Sequence, residues 1–314
     1  MDIDILLILQ GFREGVGNIF IDFLSKMTFW GDMATTLVVI AAIYWCLSKD
    51  FGTYLLMGFS GNRLVNGLLK IAACVYRPWI RDPRIVPEQK ALALATGYSF
   101  PSGHSMNGAT LFGGIAVRKE LPKVLRISCA LTMVLIAFSR PFLGVHTPQD
   151  VLVGLCAGLL VMWLISKLLQ WVELHPEKDV VVAGVGIALA VALGLFAALK
   201  SYPVDYDADG KLLVDGAKMA NDTFKGVGWA IGFFVGWVLE RRFVRFSTEV
   251  PVATRVTRLA VGLLSYYTVA LILVPLLKNM ISGAPGTAIS CFLQMFFVTF
   301  IFPWCLVHFE KQEA

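Results

Sequence analysis

The sequence predicts an all-α membrane protein: a polytopic helical bundle of about nine transmembrane helices, preceded by an interfacial amphipathic helix. Composition is the first reason. Of the 314 residues, 57% are hydrophobic and only 16% are charged, whereas globular chains carry roughly a quarter charged residues. The second reason is that the apolar residues fall into repeated stretches near the length of about 20 residues that a spanning helix needs. We therefore expect membrane lipids to surround most of the chain.

Net charge and cysteine usage exclude several classes of function. The net charge of +5 comes without a concentrated basic tract, so we expect no nucleic-acid partner. The six cysteines are scattered through apolar stretches without a C-x-x-C pair, which argues against a disulfide framework or a zinc site. The sequence also lacks a carboxylate cluster that suggests another metal. We therefore predict a protein that uses no metal and no other cofactor.

The order of elements follows from the spacing of apolar residues. Residues 3–26 mix apolar and charged positions at near-helical spacing, which favours a helix lying in the membrane interface. Residues 77–101 form a polar loop interrupted by prolines. The predicted spans are about 33–47, 54–74, 102–117, 124–138, 148–169, 180–199, 224–240, 259–277 and 286–308. We divide the chain into residues 1–178, an interfacial helix plus a five-helix core, and residues 179–314, a four-helix extension packed on the core in one membrane unit.

The distribution of basic residues predicts the orientation in the membrane. Counting passes puts segments 70–77, 101–104 and 139–150 on one side and the loop between the third and fourth helices on the other. The positive-inside rule makes that second side cytoplasmic. The acidic loop 201–222 then lies outside. The basic residues assigned to the cytoplasm are Arg118, Lys119, Lys123, Arg126 and Lys167, then Arg241, Arg242, Arg245, Arg255 and Arg258.

The segment before the fifth helix has the features of an anion site with a nucleophile. Thr147 and Pro148 form a typical helix start, and the free N–H groups of a helix N-terminus favour an anion. His146 stands directly before this start, and Asp150 follows four residues later. A carboxylate that accepts from one imidazole nitrogen fixes the tautomer and leaves the other nitrogen free to attack phosphorus.

The start of the third helix repeats this arrangement. In Pro101-Ser102-Gly103-His104, Ser102 can cap the helix and Gly103 lets backbone N–H groups approach a phosphate closely. His104 lies in the first turn, where it can protonate a leaving oxygen as a general acid.

Three cations accompany the two histidines. Lys70, Arg77 and Arg140 lie near the ends of predicted helices on the same side of the membrane. In the transition state of phosphoryl transfer the negative charge spreads over three equatorial oxygens, and positive groups placed there supply much of the catalysis. Each cation taken alone also fits a simpler interpretation, in which it reaches toward lipid headgroups or sets topology. Together with the histidines, they predict a phosphate site.

The combination resembles a known family. Lys70-x6-Arg77-Pro78, Pro101-Ser102-Gly103-His104 and Ser139-Arg140-x5-His146-x3-Asp150 look like the complete three-part signature of the type 2 phosphatidic-acid phosphatase superfamily, with no departure at any motif position. The resemblance extends over residues 60–165. This family includes lipid phosphate phosphatases, bacterial phosphatidylglycerophosphate and undecaprenyl-diphosphate phosphatases, glucose-6-phosphatase and vanadium haloperoxidases.

The resemblance implies a role for each motif residue. His146 is then the nucleophile that forms a phosphohistidine, Asp150 orients it, and His104 protonates the leaving group. The phosphate is held by Lys70, Arg77, Ser102, Gly103 and Arg140. The family requires no metal.

The function that follows is an integral membrane, metal-independent phosphatase for a lipid phosphate or diphosphate, with its site on the extracytoplasmic face of a bacterial plasma (inner) membrane. Alternatives stay open. They are a phosphotransferase with the same intermediate, a sphingosine-phosphate or sugar-phosphate phosphatase, and a non-catalytic phospholipid transporter. The last four helices are expected to shape the lipid entrance or the surface of a homodimer.

Overall fold

The computed structural model describes residues 2–93 and 95–310, and the fold is 80% helical, with no β-strand among the described residues. Residues 311–314, the end of the predicted extension, lie outside the described residues. The helices are α1 (Asp2–Gly15), α2 (Asn18–Met27), α3 (Met33–Cys46), α4 (Lys49–Ala73), α5 (Pro78–Arg81), α6 (Gln89–Leu92), α7 (103–116), α8 (Lys123–Phe142), α9 (Pro148–Leu174), α10 (Asp179–Leu199), α11 (216–244), α12 (Val252–Met280) and α13 (Gly283–Glu310).

The predicted helices are present, with differences at two places that matter for the site. The N-terminal segment forms two helices, because the chain becomes extended at Gly17 before α2 begins. The helix predicted to end at Phe138 continues for another turn to Phe142. Pro141 lies in this last turn, where its missing N–H removes one hydrogen bond of the helix. The additional turn carries Arg140 on a helix, where the sequence interpretation had placed it in a loop.

Five helices in the described part of the chain are long and apolar enough to cross a membrane: α8, α9, the stretch Pro176–Leu199, α12 and α13. Segments Asn18–Gly31 and Met33–Cys46 together make a sixth if this bent pair forms one span. Helix α7 is only about 20 Å long at 1.5 Å per residue, which is shorter than the hydrocarbon core of a bilayer. The five long apolar helices nevertheless support an integral membrane protein.

The chain folds as two compact units, Met1–Thr36 with Val65–Met162 and Lys200–Met219, and Leu37–Leu64 with Trp163–Leu199 and Ala220–Ala314. The first unit contains every predicted motif residue. The division into a core of residues 1–178 and an extension of residues 179–314 remains a prediction.

In the first unit, small residues bring α7 and α9 into close contact. A Cβ placed on Gly154 would lie 2.8 Å from the carbonyl oxygen of Ser102, and one placed on Gly158 would lie 2.8 Å from the Cβ of Ala109. A larger residue at either position has no room without a shift of the neighbouring helix. The two glycines therefore let the N-termini of α7 and α9 meet, as in other membrane helix pairs that pack through small residues.

The N-terminal helices of the first unit pack over the end of α8. Leu24 of α2 joins a buried apolar cluster with Phe142 and Val145. The buried Arg13 of α1 donates from Nη1 to the carbonyl oxygen of Phe142 at 3.0 Å and from Nη2 to the carbonyl oxygen of Val86. These contacts fix the segment that leads from Arg140 to His146.

In the second unit, α11 and α13 pack through a glycine row. Gly228, Gly232 and Gly236 recur every four residues, and a Cβ on any of them would come within 3 Å of α13. A row of this spacing lets two helices approach closely where lipid gives no hydrophobic driving force. Glu240, near the end of α11, is fully buried and pairs with Lys49 at 2.6 Å.

Candidate active site

The structure brings the three sequence motifs to one end of the first unit. Lys70 lies in the last turn of α4, and Arg77 follows in the loop before α5. Ser102 caps α7 by accepting from the backbone N–H of Ser105 at 3.3 Å, and Gly103 and His104 form the first turn of α7. The remaining three are Arg140 in the last turn of α8, His146 before α9, and Asp150 in the first turn of α9.

A backbone contact joins the second and third motifs. The N–H of Ser102 donates to the carbonyl oxygen of Asp150 at 2.9 Å. Because Gly154 leaves no side chain between the helices, the N-terminus of α7 and the N-terminus of α9 adjoin. Both helix ends direct positive potential toward the space in front of them.

The orientation of His146 is fixed from both sides of its ring. Nη1 of Arg77 lies 2.8 Å from Nε2 of His146, and an arginine can only donate, so Nε2 must be the acceptor. The proton is therefore on Nδ1, which lies 3.3 Å from Oδ2 of Asp150. This is the tautomer that leaves a lone pair on Nε2 for attack on phosphorus.

Asp150 is held by a residue that the sequence reasoning missed. Its Oδ2 accepts from the backbone N–H of Thr147 at 2.9 Å and from the hydroxyl of the fully buried Ser99. Ser99 also lies 3.4 Å from Nδ1 of His146. Ser99 stands three positions before Ser102 and has no spacing relation to residues 146 and 150. The only sequence signal for it is a polar residue next to the Pro-Ser-Gly turn.

Lys70 and Arg77 donate hydrogen bonds to a neighbouring loop as well as lying in the candidate site. Nζ of Lys70 donates to the carbonyl oxygens of Tyr98 at 2.9 Å and Pro101 at 3.2 Å. Nε and Nη2 of Arg77 donate to the carbonyl oxygens of Gly97 and Thr96, at 3.0 and 3.2 Å. The two cations therefore set the path of residues 96–101, which leads into the helix start that carries His104.

Arg140 differs from Lys70 and Arg77 in its hydrogen bonding. Its side chain is completely buried, and none of its three guanidinium nitrogens has a hydrogen-bond partner among the described residues. An unpaired buried charge is strongly unfavourable unless something compensates for it. Within the same residues, Nε2 of His104 is also buried without a partner. These orphaned polar groups belong to residues predicted to contact a phosphate, and an oxyanion is the ligand that satisfies a guanidinium.

The electrostatic environment keeps His146 neutral. Burial lowers its pKa well below the usual value of an imidazole, and the positive charges of Arg77, Arg140 and Lys70 lower it further. Burial also lowers the pKa of Arg77 to about 10, partly offset by Asp150. Arg77 therefore remains a cation near neutral pH, and the imidazole of His146 remains neutral.

Comparison with known proteins supports the sequence resemblance. Residues 51–174 match the PAP2 superfamily, and residues 224–314 match the description "PAP2 superfamily phosphatase, transmembrane extension". The chain is 36% identical to phosphatidylglycerophosphatase B of Bacillus subtilis over 45% of its own length and 70% of the relative's. No solved structure matches the chain significantly.

Two further relatives are matched over a little more than half of their own lengths. An undecaprenyl-diphosphatase of Sulfolobus acidocaldarius is 36% identical over 42% of this chain and 57% of the relative. The glucose-6-phosphatase catalytic subunit 1 of Haplochromis nubilus is 24% identical over 55% of this chain and 56% of the relative.

The matched family models and three relatives, each named as a phosphatase, show that this helical membrane protein is a phosphatase. The chain belongs to the PAP2 superfamily, the family of its matched regions and of the bacillary phosphatase that it covers over 70% of that relative's length. The predicted family is therefore confirmed, and residues 224–314 are identified as its transmembrane extension.

Proposed function

We propose that this protein hydrolyses a lipid phosphate through a phosphohistidine intermediate on the extracytoplasmic side of the membrane, without a metal. One observation carries the proposal: the unpartnered, fully buried guanidinium of Arg140 lies within electrostatic reach of His146, whose Nε2 carries a lone pair and no proton. A site prepared in this way can stabilise the negative charge of a phosphoryl group while the imidazole attacks it.

In the first step, Nε2 of His146 attacks phosphorus and forms the N–P bond, while the bond from phosphorus to the leaving oxygen breaks. His104 donates a proton to that oxygen, so the lipid leaves as an alcohol. The proton on Nδ1 of His146 remains directed at Asp150, which stabilises the positive charge that develops on the ring.

In the second step, a water molecule attacks the phosphohistidine. His104, which has lost its proton, accepts a proton from the water, the N–P bond breaks, and inorganic phosphate leaves. His146 recovers its lone pair and His104 its proton, so the site returns to its starting state.

The remaining motif residues bind the phosphate oxygens. Arg140 offers its unused guanidinium, and the N-terminus of α7 at Ser102 and Gly103 offers backbone N–H groups. Nη1 of Arg77 already lies within hydrogen-bonding distance of the nucleophilic nitrogen, so an oxygen of the transferred group can accept from it. Lys70 contributes as a point charge beside the loop it holds.

The lipid nature of the substrate is supported by the membrane setting and by two relatives whose names specify lipid substrates, a phosphatidylglycerophosphatase and an undecaprenyl-diphosphatase. The loop cations are each paired with a carboxylate: Arg81 with Asp2 at 2.8 Å, Arg84 with Asp82 at 2.7 Å, and Lys90 with Asp22 at 2.6 Å. Paired cations attract a second phosphate weakly, which favours a phosphate monoester.

The deciding experiment is phosphate release by the purified protein in detergent with EDTA present. The panel holds phosphatidylglycerophosphate, undecaprenyl diphosphate, phosphatidic acid, sphingosine-1-phosphate and glucose-6-phosphate. We expect release that favours a lipid monoester. No release from a folded protein would contradict a hydrolase, and transfer of phosphate to an added acceptor would establish a phosphotransferase. Lipid movement across vesicles without release would establish a transporter.

The arrangement proposed here has α1 and α2 lying in the outer interface, on the same side of the membrane as the motif residues. Three observations support it. Large apolar side chains are exposed along both N-terminal helices, including Ile8, Phe12 and Ile19 at 72%, 55% and 88%. Asp2 and Asp22 pair with the loop that follows Arg77. The hydroxyl of Tyr76 donates to Asp205, which puts the acidic loop at the motif end of the first unit.

Labelling with a membrane-impermeant maleimide tests this topology. In a variant without the six native cysteines, Lys211→Cys is expected to react in intact cells, because its loop lies outside. Glu249→Cys, in the arginine-rich loop, is expected to react only after permeabilisation. Reaction of Glu249→Cys in intact cells with protection of Lys211→Cys would reverse the orientation.

The acid limb of the pH profile reports the state of His146. Its lowered pKa keeps the nucleophile neutral well below the ordinary imidazole value of about 6.5. We expect kcat/KM, corrected for substrate ionisation measured by phosphorus NMR, to fall only below that ordinary imidazole value. A limb centred above pH 7 would contradict this environment.

Ser99→Ala is expected to lower kcat by about 10- to 100-fold with little change in KM, because the orienting carboxylate loses a donor. Without that donor, Asp150 becomes a better acceptor for Nδ1–H, so the acid limb should move to higher pH. A merely structural defect would not move the limb. Thr110→Ala is the matched control, since this buried hydroxyl donates to the carbonyl oxygen of Met106 in its own helix.

A further inference from the structure

A groove of about 510 Å³ lies between α12 and α13 in the second unit, and none of the motif residues lines it. Both helices are long and apolar enough to cross a membrane. The lining extends from Ala253 to Ser265 on α12 and from Phe297 to Glu310 on α13, a length of about 18–20 Å at 1.5 Å per residue. One leaflet contributes half of a hydrocarbon core of about 30 Å, so the groove has the depth of a single leaflet.

The apolar part of the groove is open to the surroundings of the protein. Of its lining side chains, Val261 is 48% exposed and Phe309 is 63% exposed. The buried side chains of Phe297, Phe302 and Leu306 also line it. The hydrocarbon region of a membrane holds no water, so the neighbour of an open apolar groove between two spanning helices is a lipid chain.

An ion pair lies at the end of the groove next to the arginine-rich loop. Arg258 is 3% exposed, and its Nε and Nη2 donate to the two carboxylate oxygens of Glu310 at 2.7 and 2.6 Å. Its Nη1 donates to the carbonyl oxygens of Ser247 at 2.7 Å and Trp45 at 3.3 Å. These bonds leave at most one of the five N–H groups of a guanidinium for a ligand.

The carboxylate of Glu310 is the charged group of the groove that a ligand can reach. Its side chain is 32% exposed, compared with 3% for that of Arg258. Each of its oxygens accepts a bond from Arg258 and can accept another. The hydroxyl of Thr257 donates to the carbonyl oxygen of Ala253 at 3.2 Å, so its oxygen is also left as an acceptor. The polar end of the groove therefore suits a ligand that brings N–H donors.

The donors of a primary ammonium group complement this end better than a phosphate does. A phosphate brings acceptor oxygens and negative charge to the carboxylate of Glu310, whereas an ammonium group brings three donors and a positive charge. A zwitterionic phospholipid with a primary amine carries both groups. Its phosphate can then lie toward the first turn of α12, where the helix start has no side-chain cap and Arg255 adds positive charge.

We propose that this groove binds a phosphatidylethanolamine-type lipid, with one acyl chain between α12 and α13 and the primary ammonium group on the carboxylate of Glu310. Pockets that combine apolar walls with a few placed polar groups are typical of specific ligand recognition. The bound lipid joins the two helices and stabilises the second unit. The proposal concerns a lipid that is not the substrate, so it does not depend on the phosphatase function.

Native mass spectrometry of the full-length protein in detergent tests the proposal. The probes are dioleoyl lipids with ethanolamine, choline or glycerol headgroups, each added at the same concentration. The choline group is a quaternary ammonium without N–H donors, so we expect the ethanolamine lipid to bind about tenfold more tightly than the choline lipid. We also expect it to raise the melting temperature more than the other two lipids do.

Three variants locate the site. Thr257→Val should reduce the preference for ethanolamine over choline about threefold, and Glu310→Gln should remove it. Val261→Trp should prevent retention of either lipid, because the indole fills the groove. Leu264→Trp is the matched control, since Leu264 is 72% exposed on the same helix and does not line the groove. Glu310→Gln also weakens the pair with Arg258, so the other two variants decide if it does not fold.

Each contrary result overturns a stated part of the proposal. Equal affinities for the ethanolamine and choline lipids, or a preference for the glycerol lipid, would overturn the assignment of the ammonium group to Glu310. Retention of lipid by Val261→Trp at the level of Leu264→Trp would show that the groove is not the site. Binding is measured without substrate, so either result leaves the phosphatase function unaffected.

Discussion

Replacing His146 by alanine is expected to lower kcat/KM by about 10⁴-fold or more, because removal of a nucleophile takes away the covalent route. The buried ring is held by Arg77 at Nε2 and Asp150 at Nδ1, so no neighbouring group can take its place. The measurement has two parts: phosphate release, and retention of ³²P on the protein after a rapid alkaline quench. The unmodified protein should carry acid-labile label, and His146→Ala should carry none.

His175→Ala is the matched control. His175 follows the C-terminal end of the same helix, where it stacks on Trp171 at 4.9 Å, and it should label and turn over like the unmodified protein. Label retained on His146→Ala would show that another residue is the nucleophile. Turnover without label in either protein would indicate direct attack by water.

Replacing Arg140 by methionine is expected to have opposite effects on activity and stability. Turnover should fall by about 10²- to 10³-fold, because the phosphoryl group loses a stabilising positive charge. In the described site, Arg140 is the cation whose guanidinium has no other hydrogen-bond partner. The ligand-free protein should melt at a higher temperature, because a well-packed apolar side chain replaces an uncompensated buried charge, a change often worth about 1–4 kcal/mol. The two effects identify Arg140 as a residue retained for binding at the expense of stability.

Thermal melting with and without vanadate, combined with phosphate release, checks this prediction. Vanadate mimics pentacoordinate phosphorus, so millimolar vanadate should raise the melting temperature of the unmodified protein and inhibit it, and should leave Arg140→Met unshifted. Arg126→Met is the control at the other end of α8, where Nε donates to the carbonyl oxygen of Ala116 at 3.0 Å. A vanadate shift in Arg140→Met, or a lower melting temperature than the unmodified protein, would contradict the assignment.

The sequence was sufficient for the family and for most helices because both depend on local patterns. Apolar stretches and polar interruptions predict spanning helices wherever they occur along a chain. The order Lys70, Arg77, His104, Arg140, His146 and Asp150 also reads directly from fixed short spacings. The helix ends were less well predicted. The last turn of α8 includes Pro141 and a charged residue, both of which normally indicate that a helix has ended.

Side-chain partners could not be predicted because they depend on which distant segments meet. The sequence interpretation treated Lys70, Arg77 and Arg140 as three equivalent phosphate ligands. In the folded chain, Lys70 and Arg77 donate to carbonyl oxygens of residues 96–101, and only Arg140 is left without a partner among the described residues. A carbonyl oxygen has the same chemistry at every position, so no pattern of residues indicates which one a cation will bind.

By itself the sequence determined that this is a helical membrane phosphatase of a known family and which residues carry its signature, since hydropathy and motif spacing are properties of the chain alone. Tertiary structure alone decided that Ser99 donates to Asp150, that Nδ1 of His146 carries the proton, and that Arg140 is buried without a hydrogen-bond partner among the described residues. Hydrogen bonds and cavities arise where helices pack against each other, and packing depends on the shapes of many residues far apart in sequence.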